Sequence, residues 1–569
     1  MNKLFKFFLL IMSFNSFSQK VLLKEFLGKP TQNSIAIKMF FDSEVEMSVQ
    51  YGLKSNTYTN QTGWKTGKTS EAIEIVIDNL NSNTKYFYRV LFRAINSQAI
   101  SIRPEFSFQT QRDPLTEFTF IVQSDPHLDE QSDSALFRLC LKNQLEDRPD
   151  FMIDLGDILM TDKLKNNAGI IPRDTIIYRS KLFRDYYETI SHSVPIFISM
   201  GNHEGEAGWN LNNTANNIAV WGTLERKKYF MNPSPNNFYS GDQTNHSFVG
   251  LRENYYEFTW GNAQFIILDP YWYTSTKPDA NNGWRWTLGK EQYLWLKNIL
   301  EKSKSTFKFV FAHQLIGGDP NGRGGIEFAD LYEWGGKNLN GTDGFSQNRP
   351  GWYKPIKELF KENKVTIFFH GHDHFYAKQD KDCLVYQETP QPSHPIFLTA
   401  NQAKEYGYLA GNIIPNAGHL RVTVSSKGVK VDYVRAYLPK NETSTRKNKD
   451  ISTTYFINPN GCYENQTSNI VLWNNNYAEE MVFPNPFDRF ISFSFVVPTE
   501  DRISLFITNN SGQVIKKLLT NASTNDGKFQ AYWDGTSDNG NKMPDGIYYY
   551  QLIGEKFNIK SGKIILIKN

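Results

Sequence analysis

The sequence predicts a multidomain protein: an N-terminal β-sandwich, a central α/β domain of layered sheets flanked by helices, and a small C-terminal β-sandwich. Three observations predict it. The 569 residues exceed what one core serves and imply about three or four domains. Aromatic residues make up 15% of the chain, with 29 Tyr and 42 Phe, which suits half-buried pleated surfaces. Period-two strand patterns at both ends bracket a middle in which apolar strands alternate with helical stretches.

Charge narrows the classes. A net charge of +3, from 62 basic and 59 acidic residues, argues against a nucleic-acid scaffold role or a polybasic membrane role. At the start, Lys3 and Lys6 precede the apolar run Phe7 to Met12, and Ser16 and Ser18 follow. That order predicts a signal peptide over 1–18, too short to span a bilayer, and no later run predicts a transmembrane segment. The three cysteines, Cys140, Cys383 and Cys462, are far apart and show no Cys-x-x-Cys spacing, which argues against a disulfide scaffold or a thiolate zinc site and leaves structural roles.

Residues 20–112 carry alternating runs at Ser34 to Met39, Glu46 to Tyr51 and Ile73 to Ile77. An Asn- and Ser-rich turn then leads into a strand whose Tyr86 is expected to hydrogen-bond back to the backbone, as in a tyrosine corner. The segment resembles the fibronectin type III-like domain found in front of purple acid phosphatases, which implies a packing and spacing module.

Residues 115–440 form the predicted central domain, with helices over Ser134 to Leu145 and Lys290 to Lys302. Five apolar strands end in polar donors: Phe118 to Val122 runs into Asp125 and His127, Phe151 to Leu155 into Asp157, Pro195 to Ile198 into Asn202 and His203, Phe307 to Phe311 into His313, and Val365 to Phe369 into His370, His372 and His374. Open α/β sheets place their sites at such carboxyl ends. The donors are all nitrogen or oxygen, which suits Mn, Fe or Zn.

This ordered set resembles the calcineurin-like metallophosphoesterases. The resemblance implies two divalent or trivalent metal ions, with Asp157 bridging, Asp125, His127 and His374 completing one site, and Asn202, His313 and His372 the other. It implies hydrolysis of phosphate monoesters on a phosphorylated small molecule by metal-activated hydroxide attack, with His203 contacting the phosphate and protonating the leaving oxygen. Glu204 and Asp373 are expected to orient ligands from behind, and His370 to be structural. Purple acid phosphatases carry a tyrosine ligand three residues after the bridging aspartate; here Met160 stands there, so a colourless enzyme is expected. The Gly-rich stretch Gly317 to Gly325 reads as a substrate lid, with Arg323 or Arg349 as phosphate clamps and Trp334 or Trp352 as stacking platforms.

From 441 to 478 the chain reads as a linker rich in Asn, Ser, Thr and Lys. Residues 479–569 hold Pro484-Asn485-Pro486, short strands, Asp534 to Asp545 turns and a final Gly562-Lys563 with apolar residues. They resemble the C-terminal sorting domain of the type IX secretion system of Bacteroidetes, which implies export, a secreted or surface-attached protein, and the secretion machinery as partner. Two alternatives stand beside the monoesterase: a phosphodiesterase acting on nucleotides or lipid head groups, and a catalytically inactive surface glycan-binding protein.

Overall fold

The computed structural model describes residues 19–167, 169–279, 282–319, 321–459, 461, 479–496, 502–509, 513–523, 528–554 and 560–567. The signal-peptide pattern at 1–18 lies outside them. The chain divides into two compact units, one running to residue 463 and one from residue 464.

In the first unit the N-terminal segment builds two sheets. Val21–Gly28, Ile35–Phe41 and Ala72–Ile77 form one, and Val45–Gly52 pairs with Lys85–Ala94 in the other. Their alternating residues, among them Ile37, Met47, Val49, Ile75 and Tyr88, meet in one core. The tyrosine corner is present: the Asn81 N–H donates to Tyr86 Oη at 2.9 Å. This layer is docked rather than tethered. Phe26 and Phe40 join the helix-side core of the following domain, and the buried Lys38 ammonium donates to the carbonyls of Lys227 and Phe230.

The central domain stacks two sheets. The six-stranded sheet runs in the order Ile196–Ile198, Phe151–Asp154, Phe118–Gln123, Gly418–Ser425, Gly428–Arg435, Ile451–Ile457. Its first three strands are parallel and the rest antiparallel. The eight-stranded sheet contains Tyr256–Trp260, Ala263–Ile267, Phe307–Phe311, Ile367–His370, Leu384–Glu388 and Tyr376–Lys381, with short strands Ser240–Gly241 and Asn412–Ile414 at its edges.

The inner faces meet in an aromatic layer. Phe265 lies 5.0 Å from both Phe120 and Phe151 and 5.1 Å from Phe258, ring centre to ring centre. The outer faces are covered by helices Ser134–Glu146, Arg173–Tyr187 and Lys290–Lys302, whose apolar residues pack with Ile121, Met152, Ile266 and Val310. Asp133 caps the first helix by accepting from the Ala135 and Leu136 N–H groups.

Three features depart from the sequence reading. The sheet does not stop at 440: Ile451–Ile457, inside the expected linker, pairs along Gly428–Arg435 as an edge strand, because its β-branched and aromatic residues favour extension despite their polar neighbours. The strands Tyr256–Trp260 and Ala263–Ile267 stand between the third and fourth donor strands and end in no predicted ligand. Cys383 is disulfide-bonded. Cys140 is a free buried thiol 3.7 Å from His419 Nδ1, and burial pushes its pKa up to about 12, which keeps it protonated and inert.

The second unit holds a sheet of Glu479–Phe483, Ile491–Val496 and Lys528–Trp533 and another of Val514–Ala522, Ile503–Thr508, Gly546–Gly554 and Lys560–Leu566. Trp533, Phe493, Leu505 and Tyr548 share its core. Asp534 accepts from Thr536 and Asp538 from the Lys517 N–H, so both serve turns.

Phe265→Ala is expected to destabilise the first unit by about 3–5 kcal/mol, since the aromatic layer cannot collapse around the void. Urea denaturation measures it; a loss near zero would mean that the sandwich core lies elsewhere.

Candidate metal centre

The carboxyl ends of the donor strands from both sheets open onto one edge of the sandwich. Asp125, His127 and His374 form one group whose ligand atoms all lie within 4.8 Å of one another, and Asp157, His313 and His372 form a second on the same criterion. The backbone bends sharply to present them. Asp125, His127, Asp157, His372 and His374 all have φ between 45° and 76°, the left-handed region that costs an L residue about 1–2 kcal/mol. Two glycines allow the close approach: a Cβ on Gly371 would lie 1.9 Å from Ser124 Oγ and 2.6 Å from Asp125 Oδ2, and one on Gly201 would lie 2.2 Å from Asp157 Oδ1.

The two groups share a wall. His313 Nε2 lies 3.1 Å from Asp157 Oδ2 and 3.0 Å from Asn202 Oδ1. His127 Nε2 stands between the carboxylates, 3.5 Å from Asp125 Oδ1 and 3.6 Å from Asp157 Oδ2. His374 Nε2 is 3.2 Å from Asp125 Oδ1. Two of the rings are oriented from behind: His313 Nδ1 donates to the Leu155 carbonyl at 2.9 Å, and His127 Nδ1 lies 3.4 Å from Asp129 Oδ2. Asn416 Nδ2 donates to the His374 carbonyl at 2.7 Å.

The residues fit a metal. Asp125 Oδ1, His127 Nε2 and Asp157 Oδ2 are buried and make no hydrogen bond among the described residues. Buried polar atoms are otherwise paired, so three facing orphans mark the place of a ligand. The field agrees. Burial disfavours charge on every group here, yet His313 is raised to about 9 by Asp157 and Asp125, and His127 is held well above its ordinary value by the nearby carboxylates of Asp125, Asp129 and Asp157. Against the same burial, the histidines hold Asp125 and Asp157 well below the carboxylate range. Such a cluster binds positive charge strongly, and divalent cations supply it in compact form.

His203 donates its backbone N–H to Asp157 Oδ1 at 2.8 Å, and its Nε2 is 3.9 Å from Asp157 Oδ2 with the ring 17% exposed, at the mouth of the cluster. Glu204 accepts from the N–H groups of Gly201, Ile158 and Asp157, tying two donor loops together; burial and then Asp157 raise its pKa to about 7. Asp373 accepts from Arg323, the Gly324 N–H and Tyr408 Oη, which fastens the Gly-rich loop to the His372 turn. His370 Nδ1 lies 2.7 Å from Glu388 Oε2; burial lowers the imidazole to about 3 and pushes the carboxyl well above its ordinary value.

Arg323 also donates to the His372 carbonyl at 2.6 Å and lies over the Tyr406 ring. Arg349 and Trp352, expected at the substrate, are engaged elsewhere: Arg349 pairs with Glu333 and donates to the carbonyls of Trp284 and Trp286, and Trp352 stacks on Tyr293 at 4.1 Å. Trp334 is fully buried against Phe368. Sequence reasoning missed Asp129, Glu388 and Asn416. Of these only Asp129 had a signal, its place two residues beyond His127 in an Asp-x-His-x-Asp run.

Strand-end carboxylates and imidazoles are thus gathered at one edge of a two-sheet sandwich. Residues 118–376 match the calcineurin-like phosphoesterase family. Residues 494–556 match the FlgD Ig-like domain, a different Ig-like domain from the sorting domain expected there. No curated protein matches the chain. Among solved structures, PhoD aligns with a TM-score of 0.56 at 15% identity, covering 77% of this chain and 91% of that one. Purple acid phosphatase PPD1 from yellow lupin (Lupinus luteus) aligns with a TM-score of 0.50 at 14% identity, covering 76% and 74%. Both likenesses concern the fold.

Gly371→Ala is expected to lower bound metal, because the new Cβ displaces Ser124 and Asp125. Elemental analysis of the purified variant measures this, and an unchanged metal content would refute the close-approach argument.

Proposed function

We propose that the chain is an exported two-metal phosphoesterase that hydrolyses phosphate monoesters. The observation that carries this reading is the pair of abutting donor groups with three buried, unpaired atoms turned toward each other. In it, Asp125, His127 and His374 hold one ion, Asn202, His313 and His372 the other, and Asp157 is shared. When bound, two Fe, Mn or Zn ions would supply Lewis acidity toward the phosphoryl oxygens and a nucleophile at neutral pH.

The chain's own part is positional. Backbone bends and glycines fix the donors, and Glu204 and Asp373 hold the loops that carry them. His203, at the mouth, holds a proton where the leaving oxygen departs, a role that contributes ~100- to 10,000-fold. Arg323 acts on the site through the His372 turn. Export is supported by the N-terminal pattern over 1–18, by the disulfide at Cys383, which suits an oxidising compartment, and by the likeness of the tail to a type IX sorting domain. That likeness makes the secretion machinery the proposed partner of residues 479–569.

Asp157→Asn is expected to abolish turnover of p-nitrophenyl phosphate and to reduce bound metal, and chelation of the wild type is expected to do the same reversibly. Equal activity in the variant would sink the reading. His203→Asn is expected to lower kcat by ~100-fold or more with metal retained. Faster turnover of bis-p-nitrophenyl phosphate than of the monoester would replace the monoesterase with a diesterase.

Met160 is buried at the place of the tyrosine ligand of purple acid phosphatases. The iron-loaded protein is therefore expected to show no tyrosinate charge-transfer band in its visible spectrum; a purple protein would contradict this.

A further inference from the structure

A groove of about 1100 Å³ runs beside the helix Lys290–Lys302, on the outer face of the eight-stranded sheet. Alternation fixes its floor. Tyr256, Phe258 and Trp260 face the inner aromatic layer, as do Ala263, Phe265 and Ile267, so Glu257, Thr259 and Gln264 point outward into the groove. Trp295, Leu294 and Asn298 of the helix form one wall.

The polar groups of this groove are built rather than scattered. Glu257 accepts from Ser240 Oγ at 2.8 Å and from Gln264 Nε2 at 3.3 Å. Gln264 is only 5% exposed, and its Oε1 accepts no hydrogen bond among the described residues. Because Nε2 is committed to the carboxylate, the amide cannot flip to satisfy the oxygen. Trp295 is pinned, its Nε1 donating to Ser240 Oγ at 3.1 Å and its ring packed 4.9 Å from Tyr255. A fixed indole beside oriented carboxylate, amide and hydroxyl groups is a surface for a ligand with an apolar face and many O–H donors. The carboxylates Glu257 and Glu291 and the ammonium groups of Lys302 and Lys304 balance in number along the lining, which suits an uncharged ligand.

We propose that this groove is a carbohydrate-binding site that takes a neutral glycan chain, with a sugar ring on Trp295 and hydroxyls on Glu257, Gln264 and Asn298. It stands apart from the metal centre. Asn262 and Ser303 to Thr306, on its rim, precede the strands Ala263–Ile267 and Phe307–Phe311. His313 follows the other end of the second strand, on the order of 15 Å away along the sheet. A bound glycan would anchor the protein to a polysaccharide surface and leave the site open.

Native gel retardation against a panel of neutral polysaccharides, followed by calorimetry with the matching oligosaccharide, tests this on the whole chain. At least one polysaccharide is expected to retard the protein. Trp295→Ala and Gln264→Leu are each expected to weaken the interaction at least ten-fold. Asn298 is exposed on the helix, so Asn298→Trp should leave the fold intact, as judged by circular dichroism, while blocking the groove. Turnover of p-nitrophenyl phosphate is expected to be unchanged in all three variants. Absence of retardation by every polysaccharide, binding that survives Asn298→Trp, or preferential binding of a peptide would overturn the proposal. The binding readout holds whether or not the metal centre hydrolyses phosphoesters.

Discussion

Two carboxylates, Asp125 and Asp157, buried without exposure and within reach of four imidazoles, set the terms for the central domain. Burying an unpaired charge costs far more than a typical fold's whole margin of stability, so the surroundings must answer it. They do so from three directions. Imidazoles supply positive charge, Glu204 takes up backbone donors that would otherwise compete for Asp157, and several residues accept left-handed backbone to bring the donors inward. The strain is concentrated where the chemistry is and is borne by the packed sandwich behind it.

That sandwich explains how small loops can hold such geometry. Each donor stands within a few residues of a strand end, and the strands are locked by an aromatic layer on one side and by helices on the other. The N-terminal layer adds support through Lys38, whose ammonium closes the end of the helix Ile218–Tyr229. Cys140, His419 and Asp147 are joined in the order of a nucleophilic triad, yet complete burial keeps the thiol protonated, so connectivity without access confers no reactivity.

Much of this was legible in the sequence, and the reason is local. A short apolar run that stops at Asp or His declares a strand end, and the helix Lys290–Lys302 has the bounds its pattern implies. Tyr86 was legible because the tyrosine corner closes over five residues. What was not legible depends on tertiary partners. The edge strand Ile451–Ile457 is defined by the neighbour it pairs with, and Glu388 matters only because the fold sets it beside His370. Arg349 and Trp352 show the converse: residue type suggested a ligand, whereas orientation gives them to Glu333 and Tyr293.

The donors are divided between the two sheets: Asp125, His127, Asp157 and Asn202 follow strands of one, and His313, His372 and His374 follow strands of the other. Anything held by both sets is a strut across the open edge of the sandwich, where no aromatic layer closes it. Occupancy then enters the folding equilibrium by mass action, growing with the logarithm of free ion concentration above its dissociation constant. The ion supply of the surroundings would thus set how much of the domain is folded.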